Sequence, residues 1–84
     1  MITIYTGPNC GYCVQAKNLL ERNNIKFVEK PIAEGTNLNT MLTFSGGMKT
    51  VPQIFGEKDG EWNHIGGYTE LRKLEKDGGL YLYE

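Results

Sequence analysis

The sequence predicts an α/β fold in the order β-α-β-α-β-β-α, a mixed four-stranded sheet flanked by three helices. Three observations carry this expectation. A short, mostly apolar and β-branched run at Ile2–Tyr5 and a second strand candidate at Ile25–Glu29 bracket a helical pattern that ends at Arg22. A strand, a helix and a strand joined by short connections make a right-handed unit whose strands are parallel. Further on, Asp59-Gly60 lies between two strand candidates, Gln53–Phe55 and Trp62–Ile65, and marks a tight antiparallel hairpin at the end of the sheet.

Each element has its own signal. Ile2–Tyr5 is short and mostly apolar, as a buried strand is. The first helix runs from Gly11 or Cys13 to Arg22. It turns Cys13, Ala16 and Leu20 inward, with Leu19 beside them, and leaves Gln15, Lys17, Asn18, Glu21 and Arg22 to water. Asn23-Asn24 ends it, and Pro31 is expected to stop the second strand. Thr36 or Asn37 caps a second helix with Leu38, Met41, Leu42 and Phe44 on one side, closed by Gly46-Gly47. Pro52 is tolerated at the start of the third strand because its missing N–H need not join the ladder. A last helix carries Tyr68, Leu71 and Leu74 inward and Glu70, Arg72, Lys73 and Lys76 outward, and Asp77-Gly78-Gly79 ends it. The apolar tail Leu80–Tyr83 is expected to pack back on the body, at a place the sequence does not specify.

Size and composition narrow the function classes. The chain has 84 residues, a formal net charge of −1 and 39% hydrophobic residues. That charge offers no electrostatic attraction for nucleic acid or an anionic membrane. No apolar run approaches the ~18 residues of a membrane span. The N-terminus has no basic region followed by an apolar stretch, so no signal peptide is expected. Two cysteines without a wider disulfide framework fit a reducing compartment, and the cytoplasm is the expected one.

Both cysteines lie in one tetrapeptide, Cys10-Gly11-Tyr12-Cys13, between the first strand and the first helix. Residues three apart on a helical turn have Cβ atoms about 5–6 Å apart. A disulfide needs Cα atoms about 4.4–6.8 Å apart. The pair can therefore close and open with little backbone movement, a redox arrangement. Cys10 falls at the helix N-terminus, where unpaired N–H groups and the dipole favour an anion. A thiol in such a place drops from ~8.5 into the range of about 3.5–7.5. Cys10 is thus the expected attacking sulfur and Cys13, a turn further in, the resolving one. The competing roles fit less well. A disulfide across so small a loop constrains the unfolded chain weakly. Zinc needs about four ligands, and His64 is the one other good candidate. A c-type haem site needs His after the second cysteine, where Val14 stands.

Four stretches narrow the fold further: Cys10-Gly11-Tyr12-Cys13, Ala16-Lys17, Thr50-Val51-Pro52-Gln53-Ile54-Phe55, and His64-Ile65-Gly66-Gly67-Tyr68-Thr69-Glu70-Leu71. In these the chain resembles the glutaredoxins, proteins of thioredoxin-like fold, and most closely the small dithiol type of bacteria and their viruses. The resemblance implies one glutaredoxin domain over residues 1–84, with Cys10 and Cys13 as catalytic residues and a cis bond between Val51 and Pro52. It implies glutathione as reductant and small-thiol partner, with no permanently bound cofactor and no metal. The implied glutathione site takes Thr50, Val51 and Pro52 as a peptide-like edge, and Tyr12 beside the mixed disulfide. Gly66, Gly67, Tyr68, Thr69 and Glu70 would meet the γ-glutamyl end, and Lys49 the glycyl carboxylate. The implied activity is glutathione-dependent reduction of protein disulfides and glutathione mixed disulfides by a monomer. The resemblance implies ribonucleotide reductase as one protein client.

Two residues depart from the family pattern. Gly11 stands where proline is commonest, and Gly7 where many relatives carry a cation that would lower the Cys10 pKa. Lys17 and Lys49 are the candidates to compensate. His64 matches the family pattern without a chemical role. A small residue at position 11 also leaves open a glutathione-assisted [2Fe–2S] cluster bridging two chains. A third reading is a thioredoxin-like donor reduced by a reductase; Gly66–Glu70 argues against it.

Overall fold

The computed structural model describes residues 1–83. Four strands form one sheet in the order β2-β1-β3-β4. The central strand β1, Ile2–Thr6, is buried along its whole length. Period-two alternation explains why every side chain of the strand is buried, Thr3 and Thr6 included, since both sheet faces are covered. Ile2 and Ile4 point to one face, where they pack with Ala16, Leu19, Leu20, Ile54, Leu71 and Leu80. Tyr5 points to the other, with Phe55 and Met41.

Helix α1, Gly11–Arg22, and the later helix α3, Tyr68–Lys76, cover the first face. Helix α2, Asn37–Ser45, covers the second. Strand β2, Phe27–Pro31, runs parallel to β1, as a strand–helix–strand unit demands. Strands β3, Gln53–Lys58, and β4, Glu61–Gly66, form the antiparallel hairpin. Its loop is Asp59-Gly60, with φ of 55° and 81°. Two left-handed residues make the turn whose twist matches the flanking strands.

Two local differences from the sequence expectation have plain causes, one at the start of β2 and one in α2. Ile25 is buried yet precedes β2: its N–H reaches Leu20 O at 2.9 Å, and Asn24 N–H reaches Glu21 O at 3.0 Å, with Asn24 at φ 58°. This pair of bonds satisfies the last carbonyls of α1, so Ile25 belongs to the helix exit. Pro31 ends β2, as the sequence leads one to expect, while its Cα still pairs with Thr6 in register. Pro is admissible there because β2 is an edge strand. In α2 only Met41 and Ser45 are fully buried, while Leu38 and Phe44 stay exposed. Phe44 instead stacks on Trp62 of β4, with ring centroids 5.6 Å apart.

The tail forms a 3-10 helix, Gly79–Tyr83. Leu80 enters the α1–α3 core, and the ring of Tyr83 lies over Gly56 of β3. A side chain at position 56 would occupy the volume of that ring.

Candidate functional site

The cysteine pair lies where β1 gives way to α1. The turn Gly7–Asn9 includes Asn9 at φ 53°, a conformation asparagine tolerates. Cys10 is then the N-cap of α1 in extended backbone, and its Sγ accepts the N–H of Cys13 at 3.1 Å. A sulfur thus does the work usually given to a Ser or Asp oxygen. The two cysteines are joined as a disulfide with Cα atoms 5.2 Å apart. Cys13 is 3% exposed, packed under the helix, whereas Cys10 is half-buried at the surface. A Cβ at Gly11 would meet nothing within 4 Å, so space does not demand glycine there.

Across from the pair, the Val51–Pro52 bond is cis. The Val51 carbonyl oxygen lies 3.6 Å from Cys10 Sγ. This loop enters β3, and β3 pairs with β1 so that Gln53 stands opposite Tyr5. The sheet therefore fixes the distance between loop and cysteines.

A cleft of about 250 Å³ runs from this point to α3. Of the residues expected at a glutathione site, Tyr12, Thr50, Val51, Pro52, Gly67, Tyr68, Thr69 and Glu70 line it. Lys49 is exposed between two lining residues, Met48 and Thr50, without lining the cleft, and Gly66 is one step behind Gly67. Met48 and Gln53 also line the cleft. The sequence reading missed both: Met48 shows no motif, and Gln53 reads as an ordinary strand position. Tyr12 stacks on Tyr68, centroids 5.8 Å apart and planes 23° apart, and the pair forms one wall.

The α3 N-terminus contributes backbone donors. Gly67 is its N-cap, and the Glu70 carboxylate reaches back to accept the Gly67 N–H at 2.7 Å. Glu70 thus caps its own helix. The first-turn amides of Tyr68, Thr69 and Glu70 have no partner four residues back in the helix and remain donors at its end. Gly66, at φ 125°, has the Glu70 side chain against its Cα, so a Cβ would displace the cap.

The surrounding charges are arranged for stability more than for the sulfur. Lys17, a candidate cation for Cys10, is paired with Glu29 at 3.2 Å. Thr6 Oγ1 also donates to Glu29 at 2.8 Å, and this bond, with Lys17, holds the Glu29 carboxyl below its usual range. At Gly7, a Cβ would lie 3.0 Å from Val51 Cγ2. A lysine could enter there only by crowding the loop that faces Cys10. Among the described residues, no set of three or more His, Cys, Asp or Glu side chains gathers as a metal site. No helix of the described residues is long and apolar enough to cross a membrane.

The sequence matches the glutaredoxin family profile over residues 2–61. The chain belongs to the glutaredoxin family. It is 40% identical to glutaredoxin 1 of Rickettsia typhi over 81 residues, covering 94% of this chain and 74% of that one. It is 38% identical to glutaredoxin 3 of Escherichia coli over 79 residues, covering 94% and 90%. The solution structure of glutaredoxin from Brucella melitensis superposes with a TM-score of 0.73 at 37% identity, covering 98% of this chain and 87% of that one. The fold is thus thioredoxin-like, and Cys10–Cys13 is the redox-active disulfide of a glutaredoxin, a thiol–disulfide oxidoreductase.

Proposed function

We propose that this glutaredoxin is a single-domain, monomeric, cytoplasmic protein that uses glutathione to reduce protein disulfides and glutathione mixed disulfides. The observation that carries the reading is the position of Cys10 Sγ. It is held by a helix-end N–H at 3.1 Å, beside the Val51 carbonyl at the mouth of the cleft.

In the reduced protein the Cys10 thiolate attacks one sulfur of a substrate disulfide. A Cys10–substrate bond forms, and the other substrate sulfur leaves as a thiolate. With a protein substrate, the Cys13 thiolate then attacks Cys10 Sγ and releases the second substrate thiolate. The Cys10–Cys13 disulfide is left carrying the two-electron oxidation. Two glutathione molecules return it to the dithiol and leave as glutathione disulfide. With a glutathionylated substrate, Cys10 takes up the glutathionyl group and a second glutathione removes it. The family works at about −200 to −230 mV, a range that suits this cycle.

The cleft supports the glutathione assignment. Thr50, Val51 and Pro52 offer an extended edge against which a peptide can align. The free amides of Thr69 and Glu70 suit the γ-glutamyl carboxylate, with Gly66-Gly67 allowing close approach and Tyr68 and Tyr12 as a wall. Because Glu70 already caps Gly67, its carboxylate can meet the ligand ammonium only from that capping position. Lys49 supplies the nearby cation for the glycyl carboxylate. Ribonucleotide reductase is the protein client we expect, as a disulfide that needs a dithiol donor.

A coupled assay with glutathione and a glutathionylated peptide tests this. Cys10→Ser should abolish turnover. Cys13→Ser should retain activity on the glutathionylated peptide and lose it on protein disulfides. Full activity in Cys10→Ser, or no dependence on glutathione in the native protein, would overturn the assignment.

A further inference from the structure

Gln53 is a buried amide beside the cis proline, 2% exposed, and the exchange chemistry gives it no task. A buried amide is costly unless paired, so its partners define what it does. Its Nε2 lies 3.0 Å from the Thr50 carbonyl oxygen and 3.1 Å from Thr50 Oγ1. Its Oε1 lies 2.6 Å from His64 Nε2.

The proton positions follow from what each group can do. A backbone carbonyl only accepts, so the group facing Thr50 O is the NH₂. Oε1 therefore faces His64, and because it too only accepts, His64 Nε2 must carry a proton. This holds for the neutral ring and the imidazolium alike. Thr50 Oγ1 accepts from the amide, so its own O–H proton is left to donate elsewhere. Thr50 lines the cleft, next to the Val51 carbonyl that faces Cys10. His64 is itself held flat against Phe55, with centroids 4.9 Å apart and planes at 27°. The relay thus runs from a ring on β4, through a buried amide on β3, to the loop at the redox centre.

We propose that Gln53 and His64 are positioning residues, and that they hold Thr50 as a hydroxyl donor to an acceptor oxygen of the bound glutathionyl group. This rests on the glutathione reading above. The Gln53–Thr50 arm of the relay also closes over four residues, 50 to 53, and so braces the Val51-Pro52 bond between its ends.

Two measurements test it. Long-range ¹H–¹⁵N NMR of the native protein, at a pH where His64 is neutral, should show the Nε2–H tautomer. An Nδ1–H tautomer would break the relay at its first bond, whether or not glutathione binds. The second is steady-state kinetics on a glutathionylated peptide. Thr50→Val and Gln53→Leu should each raise KM about tenfold, the worth of one hydrogen bond. Their kcat values should stay within about twofold, because the lost contact is shared by ground and transition states. His64→Phe keeps a ring on Phe55 but lacks the N–H, and should raise KM in the same direction. The Thr50→Val/Gln53→Leu double variant should be no worse than the poorer single, since the two act through one hydroxyl. Additive losses, or unchanged KM in either single variant, would overturn the relay. A native protein with no glutathione-dependent turnover would instead overturn the glutathione reading, and the tautomer would still decide the relay.

Discussion

The backbone N–H of Cys13 donates to Cys10 Sγ at 3.1 Å, so the second cysteine of the pair stabilises the first through its main chain. Its own sulfur is buried under α1, while Cys10 is only half-buried, with its Sγ 3.6 Å from the carbonyl oxygen of Val51, a residue that lines the cleft. Exposure and helix-end position therefore act together on one sulfur. In the reduced protein, a substoichiometric pulse of iodoacetamide followed by peptide mass spectrometry should label Cys10 well before Cys13. Preferential labelling of Cys13 would reverse the two roles.

Glu75 ties α1 to α3. Its carboxylate takes Arg22 at 3.0 Å, Asn23 at 2.6 Å and Arg72 at 2.9 Å. Hydrogen bonding from Arg22, then from Asn23, holds its carboxyl below the ordinary value of 4.5. A depressed carboxyl stabilises the fold above the unfolded-state value, and that stabilisation disappears as pH falls through the folded-state value. Glu75→Gln should cost about 1 kcal/mol at pH 7, at the modest end because the arginines are largely exposed. The difference between the two proteins, read by urea denaturation, should shrink as pH falls below ~4.5. A gap independent of pH would assign the effect to packing.

The seat of Tyr83 on Gly56 links the tail to the central sheet. Gly56→Ala should destabilise the protein by about 1–3 kcal/mol, as overpacking does. Tyr83→Ala in the same background should recover part of that loss, because it removes the ring the new methyl strikes. A neutral Gly56→Ala, measured by denaturant midpoint, would show that the tail does not rest there.

Much of this fold was legible because the signals were local. The run Ile2–Tyr5 is buried on both faces, and Asp59-Gly60 makes the turn its residues favour. The cysteine spacing placed Cys10 at the helix end, where its Sγ is bound. What the sequence hid was long-range. Phe44 has the spacing of a core residue, yet Trp62 on the neighbouring strand gives it an exposed aromatic partner. Lys17 looked free to assist the thiolate, but Glu29, across on β2, takes it. Gln53 read as a strand residue because neither Thr50 nor His64 announces a partner for it. The tail had no periodicity to show that Leu80 and Tyr83 would find the core and Gly56.

The central claim is that the end of α1 makes Cys10 an anion at neutral pH. The pH dependence of Cys10 alkylation in the reduced native protein measures it most directly. The rate should follow a single titration well below the ~8.5 of a free cysteine, within the range of about 3.5–7.5 seen at helix N-termini. A midpoint at ~8.5, that of an unperturbed thiol, would contradict it.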